Sequence, residues 1–149
     1  MTSHTTVKDI LFEIAESTKY WKAKSGDSQP LDIRKGKRHI EYNPDVYWMS
    51  PQGKIFIFEV AYTEDQRAIV GELTLSSLVP NIWRFCVIVN NEEWAEKIRD
   101  YLTIPDEEIR NDEGKFRLPH KVKIICLPQM LKDKEKIKKF LIKKLKSWM

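Results

Sequence analysis

Cysteine, histidine and glycine are scarce in this chain of 149 residues, with two, three and five of each. Cys86 and Cys126 sit in separate apolar runs with no C-x-x-C spacing. That argues for buried free thiols over a disulfide or a thiolate metal site. No G-x-x-x-x-G-K-[ST] or G-x-G-x-x-G loop occurs, which argues against nucleotide binding by those devices. No nucleophile elbow is present to carry a Ser-His-Asp hydrolase. Long apolar runs are missing too. Ile55 to Phe58 and Phe85 to Val89 fall far short of the roughly 18 residues of a spanning helix. With no secretory signal visible either, the expectation is a soluble cytoplasmic protein with no membrane association.

Charged residues are abundant. They make up 32% of the chain, against 42% hydrophobic residues, enough for one sizeable core. The net charge of +4 is unevenly placed. Residues 132–146 hold eight lysines and two acids, so the rest of the chain is slightly acidic. A basic segment suits either an anionic partner such as nucleic acid or a solvated helix face.

Apolar spacing predicts a helix from about Val7 to Tyr20, capped at Thr6. A polar break spans Lys22 to Gln29. Short strands are expected at Leu31–Arg34, Arg38–Tyr42 and Val46–Met49. Lys54 to Tyr62 is the strongest strand, rich in β-branched and aromatic residues. A helix then starts after Thr63, with Gln66 completing a capping box. Trp83–Val89 and Val122–Leu127 read as buried strands. Asn91 caps a helix carrying Trp94, Ile98, Tyr101 and Leu102 on one face, and Thr103–Pro119 reads as a loop. A last helix covers about Met130 to Trp148. This order makes a single mixed α/β domain over residues 1–149.

Two carboxylates stand out. Asp45 follows Pro44 between strand runs, and Glu59 lies fourteen residues on, inside the strongest strand. A tight turn between them lets both reach one sheet edge. Glu59 shares its face with Ile57 and Ala61. An ionised carboxylate in an apolar strand is costly unless it is paired or holds a metal. Two carboxylates and the carbonyl of Val60 are a minimal donor set for a hard cation such as Mg²⁺.

Pro44-Asp45, the turn and Glu59-Val60-Ala61 resemble the PD-(D/E)XK motif of restriction-endonuclease-like nucleases. The element order over residues 7 to 90 is similar to that fold's core of helix, strand meander, helix and strand. The stretch from Pro30 to Val60 also looks like TnsA-type and Holliday-junction-resolvase-type members. The resemblance implies a central mixed sheet flanked by helices and a divalent-metal-dependent endonuclease acting on DNA. Asp45, Glu59 and Val60 would hold Mg²⁺ or Mn²⁺, with Glu13 of the first helix assisting. It also implies a possible homodimer. The motif's lysine is replaced by Ala61. Gln66, Arg67, Lys22 and Lys24 are candidates to substitute for it, Gln66 also matching a helix-start glutamine of some relatives. A catalytically impaired DNA-binding or assembly module on the same fold is the alternative.

Tyr20 and Trp21 interleave with Lys22 and Lys24. With Arg34, Lys35, Lys37 and Arg38 they could track a phosphate backbone, the alternative being a charged loop with Trp21 packed on the core. His39-Ile40-Glu41 puts a histidine and a carboxylate on one strand face, near Asp45 in sequence. His4 and His120 are remote, so an exposed strand face is preferred to a transition-metal site there.

Overall fold

A computed structural model describes residues 3–35, 37–62, 66–108 and 121–149. Helix α1 spans His4–Thr18, β1 Lys22–Ser25, β2 Leu31–Lys35, β3 Arg38–Tyr42, β4 Val46–Met49 and β5 Ile55–Val60. Then come α2 (Gln66–Ser77), β6 (Ile82–Val89), α3 (Glu92–Glu108), β7 (Lys121–Cys126) and α4 (Lys134–Leu145). A 3-10 turn over Lys146–Trp148 follows α4.

Five strands form one mixed sheet in the order β1-β4-β5-β6-β7, and β2-β3 form a separate two-stranded sheet. The β1-β4 and β4-β5 pairs are antiparallel, while β5-β6 and β6-β7 are parallel. The expected α/β class, with a mixed sheet flanked by helices, is what the chain adopts.

All six residues of β5 are buried, so this strand is the centre of a three-layer packing. Phe56, Phe58 and Val60 face one apolar layer with Val7, Ile10 and Ile14 of α1 and Ile137, Leu141 and Leu145 of α4. Ile55 and Ile57 face the other, with Ile69 and Leu73 of α2 and Ala95 and Ile98 of α3. The alternation of strand side chains assigns these faces directly. Aromatic rings fill the first layer: Phe56 stacks on Phe58 at 4.4 Å, and Trp48 lies 4.5 Å from Phe58. Arg84 sits 3.7 Å over the Trp83 ring and donates to the Trp148 carbonyl at 2.7 Å, tying the segment after α4 to the sheet.

Several local expectations are corrected. The polar break contains β1, an edge strand that needs only backbone pairing on one side and so carries no apolar signature. Helix α1 starts earlier, because the Ser3 hydroxyl, not Thr6, caps it by accepting from the Thr6 N–H. Helix α3 continues to Glu108 where a loop was expected, since polar residues are compatible with a helix. Helix α4 is shorter than its apolar stripe suggests, because Asp133 accepts from the N–H groups of Glu135 and Lys136 and fixes its start. Asn91 caps α3 as expected, accepting from the Trp94 N–H at 3.0 Å. Thr63 lies outside the described residues.

Gly26 fixes the position of the segment before β4. A Cβ there would lie 1.9 Å from the Pro44 carbonyl oxygen and 2.7 Å from the Asn43 carbonyl carbon. Both contacts are backbone, so no side-chain rotation relieves them. Gly26→Ala is expected to cost about 2–3 kcal/mol, the upper range for overpacking. Urea unfolding measures this, and an unchanged midpoint would show that the Asn43-Pro44 backbone yields freely.

Candidate carboxylate site

Val46 pairs with Phe58 in the last rung of the β4-β5 ladder, so Asp45 and Glu59 come next on adjacent strands. Each carboxylate takes a backbone N–H from the other's strand. Asp45 N–H donates to Glu59 Oε1 at 3.0 Å, and Val60 N–H donates to Asp45 Oδ2 at 2.8 Å. The two expected residues are thus brought together and held by a reciprocal link. In an extended strand a residue's N–H and C=O point to the same side. The Val60 carbonyl therefore faces β4 and Asp45, whereas Ala61 N–H turns the other way to the Ile88 carbonyl.

Glu59 is only 3% exposed, on the face shared with Ile57 and Ala61. The Tyr42 hydroxyl donates to its Oε1 at 3.2 Å. Glu72 of α2 shares a side-chain hydrogen bond with it. Burial pushes the Glu59 carboxyl well above the ordinary carboxylate range; the Glu72 and Asp45 charges add to the rise, and the Asp45 N–H opposes it. The Tyr42 hydroxyl is pushed up as well, by burial first and then by Glu59 and Glu72.

His4, the first residue of α1, reaches Asp45 Oδ2 with its Nε2 at 3.2 Å. It also meets Tyr62 edge-on at 6.4 Å. The Tyr62 hydroxyl is raised to about 12 by burial and the nearby Cys126. These groups collect where β5 and β6, running in parallel, both end. The carboxyl edge of parallel strands is the usual ligand crevice of open α/β sheets.

Other expected site residues stand elsewhere. Glu13 does not join Asp45 and Glu59: Lys134 holds its carboxylate at 2.9 Å, with Lys138 at 3.9 Å. Lys134 keeps Glu13 below the usual carboxylate range. It is His4 of α1 that touches Asp45, and nine further residues carry the helix about 13 Å along its axis. Lys22 and Lys24 line an open cleft of about 570 Å³ with Tyr20, Trp21 and Met49, and Lys22 pairs with Met49 at the end of β4 remote from Asp45. Gln66 opens α2, and its side chain, like those of Arg67 and Lys35, lies outside the described residues. Lys37 and Arg38 are exposed on the β2-β3 hairpin. His39 pairs with Asp32 and not with Asp45, on an exposed strand face as preferred. Ala61 is fully buried, and its carbonyl accepts from the Trp94 indole at 3.1 Å.

His4, Tyr42 and Glu72 are the site residues that sequence reading misses. Glu72 gives a faint signal, an acid beside the apolar stripe of Ile69 and Leu73. A lone histidine 41 residues from Asp45 gives none. Among the described residues, no three histidine, cysteine, aspartate or glutamate side chains are grouped to hold one ion. Comparison with protein families, with curated proteins and with solved structures returns no match.

A carboxyl with a raised folded-state pKa binds its proton more tightly when folded. The fold is therefore favoured at low pH and loses stability as pH climbs from the ordinary value of 4.5 through the raised one. Glu59→Gln keeps an acceptor for Tyr42 and removes the charge. In EDTA at pH 7 it is expected to melt roughly 3 °C or more above the wild type, about 1 kcal/mol in a domain of this size. Thermal melts across the range from about pH 5 to 8 check this; equal or lower melting of the variant at pH 7 would refute the cost assigned to the buried Glu59 charge.

Proposed function

We propose that this chain is a divalent-metal-dependent endonuclease that hydrolyses DNA phosphodiester bonds. The observation that carries the reading is the reciprocal link between Asp45 and Glu59, with the Val60 carbonyl turned to the same side. The order α1, a strand meander, α2 and β6 supports the reading by its resemblance to the core of restriction-endonuclease-like nucleases, and Asp45 and Glu59 resemble that family's motif carboxylates.

The donor set suits a hard ion. Mg²⁺ is commonly held by one or two carboxylates with the remaining positions filled by water and substrate oxygens. Asp45, Glu59 and the Val60 carbonyl would hold Mg²⁺ or Mn²⁺. The ion would supply Lewis acidity and an activated water beside the phosphorus. Glu59 would give up its retained proton on loading, since a cation offsets the burial and the neighbouring negative charge. Asp45 keeps its orientation through the Val60 N–H. His4 stands beside it at the rim, with a ring nitrogen that can donate or accept. Tyr42 holds Glu59 from the hairpin side.

The buried Ala61 favours one second reading, an impaired nuclease-fold protein that binds DNA or supports assembly without cleaving it. Supercoiled plasmid nicking with Mg²⁺ or Mn²⁺ separates the two. Wild type is expected to nick, and Asp45→Ala and Glu59→Ala to lose at least about 100-fold, in line with removal of a group that stabilises transition-state charge. Nicking that survives either substitution unchanged would refute the site. Salt-sensitive DNA binding with no nicking would favour the second reading.

A further inference from the structure

The β2-β3 hairpin is not part of the main sheet. It is rooted in the core by Leu31, Ile33 and Tyr42. Residues 38–41 of β3 are all exposed, on both strand faces, and only Tyr42 is buried. Ile40 is 38% exposed, although its cross-strand partner Ile33 is buried. Residues 34–38 carry two arginines and two lysines in five positions, with no acid among them. An isolated two-stranded hairpin is marginal on its own account. Lys37 and Arg38 stand exposed next to each other near its end, a repulsion that a packing role does not require.

We infer that this hairpin is an arm that enters the major groove of a DNA duplex. This rests on the reading of the chain as a DNA-acting protein. The B-form major groove, about 12 Å wide, admits a two-stranded ribbon without deformation of the duplex, whereas the minor groove, about 6 Å wide, takes one only where the duplex is bent or widened. A-form RNA has a major groove too narrow for such an arm, so the partner is DNA. The root of the arm is the site itself, because Tyr42 bonds Glu59. From Tyr42 to Arg38 the strand covers about 13 Å, more than the roughly 8.5 Å depth of the groove. A phosphate held at Asp45 and Glu59 would thus lie within the arm's reach of the neighbouring groove. Lys37 and Arg38 would meet phosphates or guanine edges, and the exposed Ile40 has the chemistry to contact a thymine methyl. The Asp32–His39 pair bridges the two strands and stiffens the arm.

The test is DNA binding in EDTA, read by fluorescence anisotropy on a 20-base-pair duplex and on the single strand of the same sequence. Lys37→Glu/Arg38→Glu is compared with Lys139→Glu/Lys143→Glu on α4, with circular dichroism melts to confirm folding of both. The hairpin variant is expected to lose tenfold or more in duplex affinity near 100 mM salt. Its dependence of log affinity on log salt should be shallower by about two, one for each lost phosphate contact. Single-strand binding and the α4 variant should change much less. Equal losses on duplex and single strand, a loss confined to the α4 variant, or no duplex binding by wild type would each overturn the arm. Because EDTA removes catalysis, arm-dependent duplex binding in a chain that never nicks plasmid would sink the nuclease reading and leave the arm standing.

Discussion

The arrangement of the sheet turns on one costly placement, the Glu59 carboxylate inside a strand that is buried throughout. An ion of this kind in a protein interior costs several kcal/mol even after the surroundings relax. Hydrogen bonds to a charged acceptor each return about 1.5–3 kcal/mol. The Tyr42 hydroxyl and the Asp45 N–H therefore offset part of that cost, while Glu72 and Asp45 add repulsion. The remaining imbalance is met in one of two ways, by a retained proton or by a cation. A purely structural residue at this position would be apolar, as Ile55 and Ile57 are on the same face. Glu59 thus carries an electrostatic cost that packing alone does not require, a feature common at functional sites.

The rest of the fold supplies what that placement needs. The opposite face of β5 is packed with aromatic rings from Trp21, Trp48, Phe56 and Phe58, together with α1 and α4. That layer contains no polar compromise in β5, so the strand is held rigidly from behind. Gly26 lets the Asn43-Pro44 backbone close against the end of β1, which sets where Asp45 leads into β4. The reciprocal N–H bonds then extend the pairing of β4 and β5 by side chains, past the point where the ladder ends. Asp45 and Glu59 are consequently located by main chain and not by flexible loops. Precision of that kind is what a site on sheet edges gains over one on loops.

Strand parity makes Asp45 and Glu59 legible in the sequence, because two runs separated by a tight turn must return side by side. The α/β class is legible for the same reason: the apolar periods switch visibly between two and 3.6. Residues contributed across long separations are not legible. His4 reaches Asp45 only because α1 lies on the sheet with its first turn at the carboxyl edge, and Glu72 reaches Glu59 only because α2 packs on that face. Glu13 shows the converse. Its position beside the apolar stripe of α1 points it towards a neighbour, but spacing on one helix does not say which element that neighbour belongs to. Here it is α4, whose lysines neutralise it. The strand at Lys22–Ser25 escapes detection because an edge strand is specified by its backbone partner, and Ala23 alone gives no alternation to read.

Charge is distributed with the same logic. The carboxyl edge of β5 gathers Asp45, Glu59 and Glu72, with His4 at its rim, while the lysines of α4 are partly spent on Glu13. An acidic centre alone repels a phosphate backbone, so a site of this kind acts on nucleic acid only if cations lie close by. The net positive charge of the chain does not meet that need by itself, since beyond a Debye length of about 8 Å surface charges are screened in physiological salt. What matters is which cations are mechanically coupled to the site. The hairpin satisfies that condition, because Tyr42 joins it to Glu59 through one hydrogen bond and to Asp45 through two intervening residues. A displacement of the hairpin would therefore be felt at the carboxylates, through the Tyr42–Glu59 hydrogen bond.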